Sequence, residues 1–224
     1  MRVLVTLIVA DGDVPSRAAV DQLLGTAPQL VIAADGGAVK AEALGYPPGV
    51  VVGDADSLAA SDVERFRAAG IDVVIRPADK DESDTELGLN EALERGATRV
   101  VIVGGFGGRR LEHTLANVLL LGSERLRGRD ITLADGASTL RVMHSKETLE
   151  ITGSPGDYVS LLPLTWRVAG VTTVGLRYAL TREMLEQGPA RGLSNELTTG
   201  AATIKIDQGR LAVVHTKRSE VTDK

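Results

Sequence analysis

Two hydrophobic patterns divide the chain. Through the first two-thirds, near-continuous apolar runs alternate with segments whose apolar residues recur at helical spacing. The runs predict strands at Val3–Val9, Leu30–Ala34, Val50–Val52, Ile71–Ile75, Arg99–Val103 and Ile131–Leu133. Between them, helices are predicted over Ser16–Leu24, Ala38–Leu44, Leu58–Ala69, Thr85–Arg95 and Thr114–Leu126. Pro15 is placed to start the first, and Gly45, Gly70 and Gly96 are placed to stop the next three. In the last, Leu115, Val118, Leu119 and Leu126 share one apolar face. Strands that are apolar throughout, each followed by a helix, imply a parallel sheet covered on both faces. Such a sheet binds ligands at the carboxyl ends of its strands.

After about Thr139 the period shortens. Alternating segments predict strands at Arg141–His144, Thr148–Ile151, Tyr158–Pro163, Val171–Thr173, Arg177–Leu180, Ala202–Ile206 and Leu211–His215. Met184–Gln187 is expected as one helical turn. Gly, Pro and Asp punctuate these segments, as in an antiparallel sandwich. The expected fold class is therefore α/β: a parallel-sheet, three-layer N-terminal domain over 1–139, then an all-β sandwich over 140–218 and a polar tail over 219–224.

Composition narrows the chemistry. The 224 residues carry 25 Lys and Arg against 30 Asp and Glu, a net charge of −5, which is no footprint for non-specific nucleic-acid binding. With no cysteine and three His, a metal would be held by oxygens, which points to Mg2+. A reducing, cytoplasmic setting agrees with the missing cysteines. The apolar run Val3–Ala10 is too short for a membrane span and is not followed by a cleavage-site pattern. Aromatic residues are only 3% of the chain, so Trp166, beside a turn, is either a cover for an apolar face or a platform for a flat cationic ring.

Four polar clusters follow strands of the α/β part. Asp35-Gly36-Gly37 allows close backbone approach to a phosphate, or is simply a tight strand-to-helix turn. Gly53-Asp54-Ala55-Asp56-Ser57 puts two carboxylates one residue apart on a loop, more than a helix cap needs. In Lys80-Asp81-Glu82-Ser83-Asp84-Thr85-Glu86, a capping box accounts for Ser83 and Glu86 and leaves Asp81, Asp84 and the cationic Lys80 over. Gly104-Gly105-Phe106-Gly107-Gly108-Arg109-Arg110-Leu111-Glu112-His113 joins glycines to paired Arg, whose forks suit polyphosphate oxygens. It is neither a Walker loop nor a dinucleotide fingerprint. Acidic pairs and Arg on one sheet edge point to a metal–nucleotide site for phosphoryl or pyrophosphoryl transfer. A further polar loop, Gly192-Leu193-Ser194-Asn195-Glu196, lies in the β part.

The ordered set of motifs resembles the thiamine pyrophosphokinase family. The matching pieces are Asp35–Gly37, Gly53–Ser57, Lys80–Leu89, Gly104–Leu121, Val168–Leu180 and Gly192–Glu196, in the family's order across almost the whole chain. The resemblance implies transfer of the β,γ-diphosphate of ATP to the hydroxyethyl oxygen of thiamine, with AMP released. It implies Mg2+ and a homodimer with active sites between subunits. Carried over, Asp54 and Asp56 would bind the metal, with Asp81 and Asp84 at the metal–triphosphate site and Arg110 on phosphate. Asp35, Gly36, Gly37, Lys80, Gly108, Arg109 and His113 complete the ATP side, and Ser194, Asn195 and Trp166 are the thiamine side. Two positions depart from the family pattern: Ala55 stands where an aromatic is usual, and Glu112 where Asp precedes the His.

Asp81, Asp84 and Glu112 are each candidates to take the acceptor's proton. Two other readings use the same scaffold. One is a pyrophosphokinase for another hydroxymethyl acceptor, such as a pterin. The other is a non-catalytic nucleotide- or thiamine-binding protein, against which the retained Asp54, Asp56, Asp81, Asp84 and Arg110 weigh.

Overall fold

The structure, a computed structural model, describes residues 4–54, 60–77, 81–106 and 110–221. The chain forms two compact units. The first holds the residues up to Asn117 together with Asp130–Gly136, and the second holds Val118–Arg129 and everything from Ala137 onward. The expected boundary at 139/140 is thus replaced by a crossing at Gly136/Ala137 and an earlier excursion over Val118–Arg129.

In the first unit the chain order is β1 (Val5–Val9), α1 (Arg17–Leu24), β2 (Leu30–Ala34), α2 (Gly37–Ala43), β3 (Val50–Asp54), α3 (Ala60–Ala68), β4 (Asp72–Arg76), α4 (Asp84–Glu94), β5 (Arg99–Val103), the start of α5 (Leu111–Leu121, whose last turn from Val118 counts with the second unit) and β6 (Asp130–Ala134). The six strands are all parallel, in the order β6-β5-β1-β2-β3-β4. Every residue of β1 is buried, because helices cover both of its faces. Val5, Leu7 and Val9 pack with Val20 and Leu24 of α1, Ala38 and Ala41 of α2, and Val63 and Phe66 of α3. On the other face α4 comes so close that a Cβ at Gly88 would lie 3.2 Å from Ile8 Cγ2. Helix α1 starts at the N-cap Ser16, whose hydroxyl accepts from the Ala19 N–H, so Pro15 precedes the cap instead of opening the helix.

Helix α5 begins and ends earlier than its apolar pattern suggests, and Glu124–Leu126 is a separate 3-10 turn. Of the residues expected on one apolar face, Leu115 and Leu119 are exposed, as is Leu111, while Leu126, in the 3-10 turn, is buried.

The second unit is an antiparallel sandwich. One sheet orders β12 (Asn195–Glu196), β9 (Tyr158–Pro163), β14 (Leu211–Thr216) and β7 (Ser138–Met143). The other orders β11 (Glu183–Glu186), β10 (Arg167–Val174), β13 (Ala201–Lys205) and β8 (Thr148–Thr152). Val159, Leu161, Leu211 and Val213 of the first pack against Leu149, Ile151, Val168, Val171 and Ile204 of the second.

Two expectations fail here for tertiary reasons. Met184–Gln187 is no helical turn: β11 pairs with β10, setting Leu185 opposite Val168 and burying it. Arg177–Leu180 is no strand, because its backbone groups are held by other partners. Tyr178 N donates to Asn195 Oδ1 at 2.9 Å, and Leu180 N donates to Thr173 Oγ1 at 2.9 Å. At the end of the chain, Arg218–Glu220 is a 3-10 turn, and residues 222–224 of the expected tail lie outside the described residues.

Candidate active site

The strand order reverses at β1, which has β2 on one side and β5 on the other. The connection out of β1 runs to β2 and the one out of β5 runs to β6, in opposite directions, so the two strand ends open a crevice between them. Ala10 N donates to Val103 O at 2.8 Å and Gly12 N to Gly104 O at 2.8 Å, so the two strand exits stay bonded to each other. A cavity of about 720 Å³ lies there.

Its walls come from five strand or helix ends of the first unit. Ala10, Asp11 and Gly12 follow β1; Ala34 and Asp35 lie at the end of β2; Ser83, Asp84 and Thr85 open α4; Gly104 and Gly105 follow β5; Arg110, Glu112, His113, Ala116 and Asn117 belong to the start of α5. Asp35 has φ 52°, a left-handed conformation that Asp tolerates at a turn, and its N–H donates to Val52 O at 2.8 Å. Ser83 caps α4 by accepting from the Glu86 N–H at 3.2 Å, which places Asp84 in the first turn. Asn117 is buried and donates from Nδ2 to Gly105 O at 2.9 Å, tying α5 to the glycine loop.

Of the residues expected on sequence grounds, Asp35, Asp84, Arg110, Glu112 and His113 meet at this cavity. Asp54 ends β3 on the same sheet edge, opposite Arg76 of β4, and is not in the cavity wall. Asp81 is exposed just before α4. Gly36 and Gly37 form the turn into α2, where a Cβ on Gly37 would collide with Val9 O. Asp56, Lys80, Gly108 and Arg109 lie outside the described residues. Asp11, Gly12 and Asn117 of the wall carry no functional expectation from the sequence. Asp11-Gly12 has a signal, an Asp–Gly pair just after a strand, that Asp35-Gly36 also has.

Arg110 Nε lies 2.6 Å from Glu112 Oε1, with both side chains well exposed. The Arg110 guanidinium, followed by Glu112's own backbone N–H, holds the Glu112 carboxyl below the usual carboxylate range. A carboxylate so stabilised is a weaker proton acceptor. Among the described residues no three of His, Asp and Glu converge as a ready-made metal cage.

In the second unit, Ser194 has φ 56° and donates its N–H to Ser160 Oγ at 3.0 Å. Asn195 is buried, and its amide is occupied: Oδ1 accepts from Tyr178 N and Glu196 N, each at 2.9 Å, and Nδ2 donates to Tyr178 O at 2.8 Å. Trp166 stands on the separate turn between β9 and β10, with 71% of its surface exposed.

Comparison with known proteins gives a consistent result. The family model described as "Thiamin pyrophosphokinase, catalytic domain" matches residues 21–133, and "Thiamin pyrophosphokinase, vitamin B1 binding domain" matches residues 142–211. The chain is 28% identical over 185 residues to the thiamine pyrophosphokinase of Bacillus subtilis, covering 83% of this chain and 86% of that protein. It is 27% identical over 189 residues to thiamine pyrophosphokinase 1 of rice, covering 80% of this chain and 69% of that one. The crystal structure of thiamin pyrophosphokinase from Geobacillus thermodenitrificans superimposes with a TM-score of 0.79 at 29% identity, covering 96% of this chain and 99% of that one.

Proposed function

The chain belongs to the thiamin pyrophosphokinase family, and from that premise we propose that it is the enzyme that transfers the β,γ-diphosphate of ATP to the hydroxyethyl oxygen of thiamine. The thiamine oxygen forms a bond to the β-phosphorus of ATP while the bond to the α,β-bridging oxygen breaks. AMP leaves with that oxygen, and the hydroxyl proton passes to a carboxylate or to water. The observation that carries the reading is the cavity at the β1/β5 crevice, whose wall joins Asp35, Asp84, Arg110 and His113.

In this reading Arg110 grips phosphate oxygens by its guanidinium fork, exchanging the Glu112 carboxylate for phosphate. The donor set fits Mg2+: the chain offers hard carboxylates and no thiolate, and Mg2+ usually takes only one or two carboxylates, the remainder being water and phosphate oxygens. Asp54, Asp56, Asp81 and Asp84 are the carboxylates from which its one or two protein ligands would be drawn. Bound there, it would neutralise the triphosphate and ease attack at phosphorus. Ser194 and Trp166 form the acceptor side, and Asn195 supports it.

The reading includes a cytoplasmic homodimer with its active sites at the subunit interface. Among the described residues no helix is long and apolar enough to cross a membrane. The decisive experiment incubates the purified protein with thiamine, ATP and Mg2+. Thiamine diphosphate and AMP are expected in equal amounts. ADP as the nucleotide product, or turnover of a hydroxymethyl pterin in preference to thiamine, would overturn the assignment. Light scattering during size exclusion should give twice the chain mass.

A further inference from the structure

Asp11 is part of the cavity wall, and two neighbours, Lys40 and Gly36, fix where its side chain stands. From helix α2, Lys40 Nζ donates to the backbone oxygen of Asp11 and to Gly12 O at 2.9 Å. The same ammonium lies 3.0 Å from Asp11 Oδ1. The second neighbour is Gly36, where a Cβ would fall 2.5 Å from Asp11 Oδ1 and 3.0 Å from Oδ2. The carboxylate therefore occupies the space that a side chain at Gly36 would need. This gives Gly36 a reason other than phosphate approach.

A carboxylate only accepts hydrogen bonds. On ATP the donors are the ribose 2′- and 3′-hydroxyls and the 6-amino group; the triphosphate has none to offer and is repelled by like charge. Asp11 thus cannot serve the phosphate end of the cavity, which Arg110 marks. Nor does it suit a metal, because the Lys40 ammonium already neutralises it at contact distance. Two oxygens side by side match a vicinal diol better than a single amino group. Resting on the reading that this cavity binds ATP, we propose that Asp11 accepts hydrogen bonds from the ribose hydroxyls and selects ribonucleotides, with Lys40 as its positioning residue.

The test compares ATP, 2′-deoxyATP, 3′-deoxyATP and ITP on the wild-type protein, Asp11→Ala, Asp11→Asn and Lys40→Met. KM and kcat come from AMP release, and calorimetric binding without acceptor gives a second readout. For the wild type, KM for a deoxynucleotide should exceed that for ATP about tenfold. Asp11→Ala should raise KM for ATP to the deoxy value, leaving kcat and the deoxy KM within about twofold. Asp11→Asn should fall between. Lys40→Met should narrow the ribo/deoxy ratio at an unchanged melting temperature. Joined to Asp11→Ala it should add nothing further, the mark of one residue acting through another. A ribo/deoxy preference that survives Asp11→Ala would overturn the inference, as would a preference that follows ITP instead of the deoxy analogues. So would a loss of kcat or a changed Mg2+ dependence in place of the KM effect. If the wild type releases no AMP from ATP and thiamine, the functional reading fails by itself, while the binding ratios still decide the role of Asp11.

Discussion

As sequence, the cavity segments of the first unit resemble the Gly192–Glu196 loop of the β-sandwich unit: each is a short polar run beside a strand. Asn195 of that loop and the charged side chains of the cavity wall are in opposite conditions. In the cavity wall, Asp11, Arg110 and Glu112 keep 59%, 69% and 65% of their side-chain surface exposed. In the loop, Asn195 is 7% exposed, with both amide atoms bonded to the Tyr178 peptide. A polar side chain directed into open space is available to a ligand. One that is buried with its bonds made belongs to the fold, because taking it away leaves its partners dry and unpaired. Mutation should therefore damage activity in the first place and stability in the second.

The sharpest separation is expected from Asp84→Asn. Loss of a carboxylate at the proposed metal–triphosphate site should lower kcat/KM for ATP by at least a hundredfold, about 3 kcal/mol. Its place in the first turn of α4 is worth only about 0.3–1 kcal/mol to the helix, so urea unfolding should barely move. A stability loss larger than the activity loss would erase the distinction. Asn195→Ala should do the reverse. It leaves the N–H groups of Tyr178 and Glu196 without their acceptor and should cost about 2–3 kcal/mol in urea unfolding. Arg110→Ala should lower kcat/KM for ATP roughly 30-fold, about 2 kcal/mol, and Lys at this position should not restore it, since the fork geometry is lost.

The smallest effect concerns pH and again belongs to the second unit. Burial pushes the Asp157 carboxyl up, but N–H donors from Ser154 and Arg218 and the His215 ring outweigh it, and the net direction is down. A carboxyl held below its unfolded value near 3.9 contributes stability that is complete above that pH. The contribution fades as pH falls through the folded value. Below about pH 4 the wild type should lose at most about 1.4 kcal/mol per pH unit from this group, and Asp157→Asn should remove that slope. Thermal melts from pH 6 to 2.5 measure it.

The inner strands of the first unit were legible because burial on both faces leaves an unbroken apolar run, and β2 and β5 match their expected limits. Helix α5 was legible as a helix but not in its facing, since an apolar stripe states which residues lie together and not what covers them. The Arg177–Leu180 turn was hidden because side chains outside the segment, those of Asn195 and Thr173, hold it. In the site, Asp35, Asp84 and Arg110 stood out because charge follows an apolar strand. Asp11 has the same position, yet it reads equally well as the polar end of the first strand. Lys40 reads as a solvent-facing helix residue, and only the fold brings it back onto the exit of β1.

The strand order also sets when this site can come into being. The first strand to be made is β1, but its second neighbour is β5, and the hydrogen bond from Leu4 N to Thr98 Oγ1 spans 94 positions. As the chain leaves the ribosome, β1 to β4 can align early. The crevice has only one side until β5 emerges and inserts next to β1. Pairing over such a separation is slow, because a long loop must close before the contact rewards it. Nucleotide binding should therefore be the last property that the first unit acquires, and chains ending before β5 should have none.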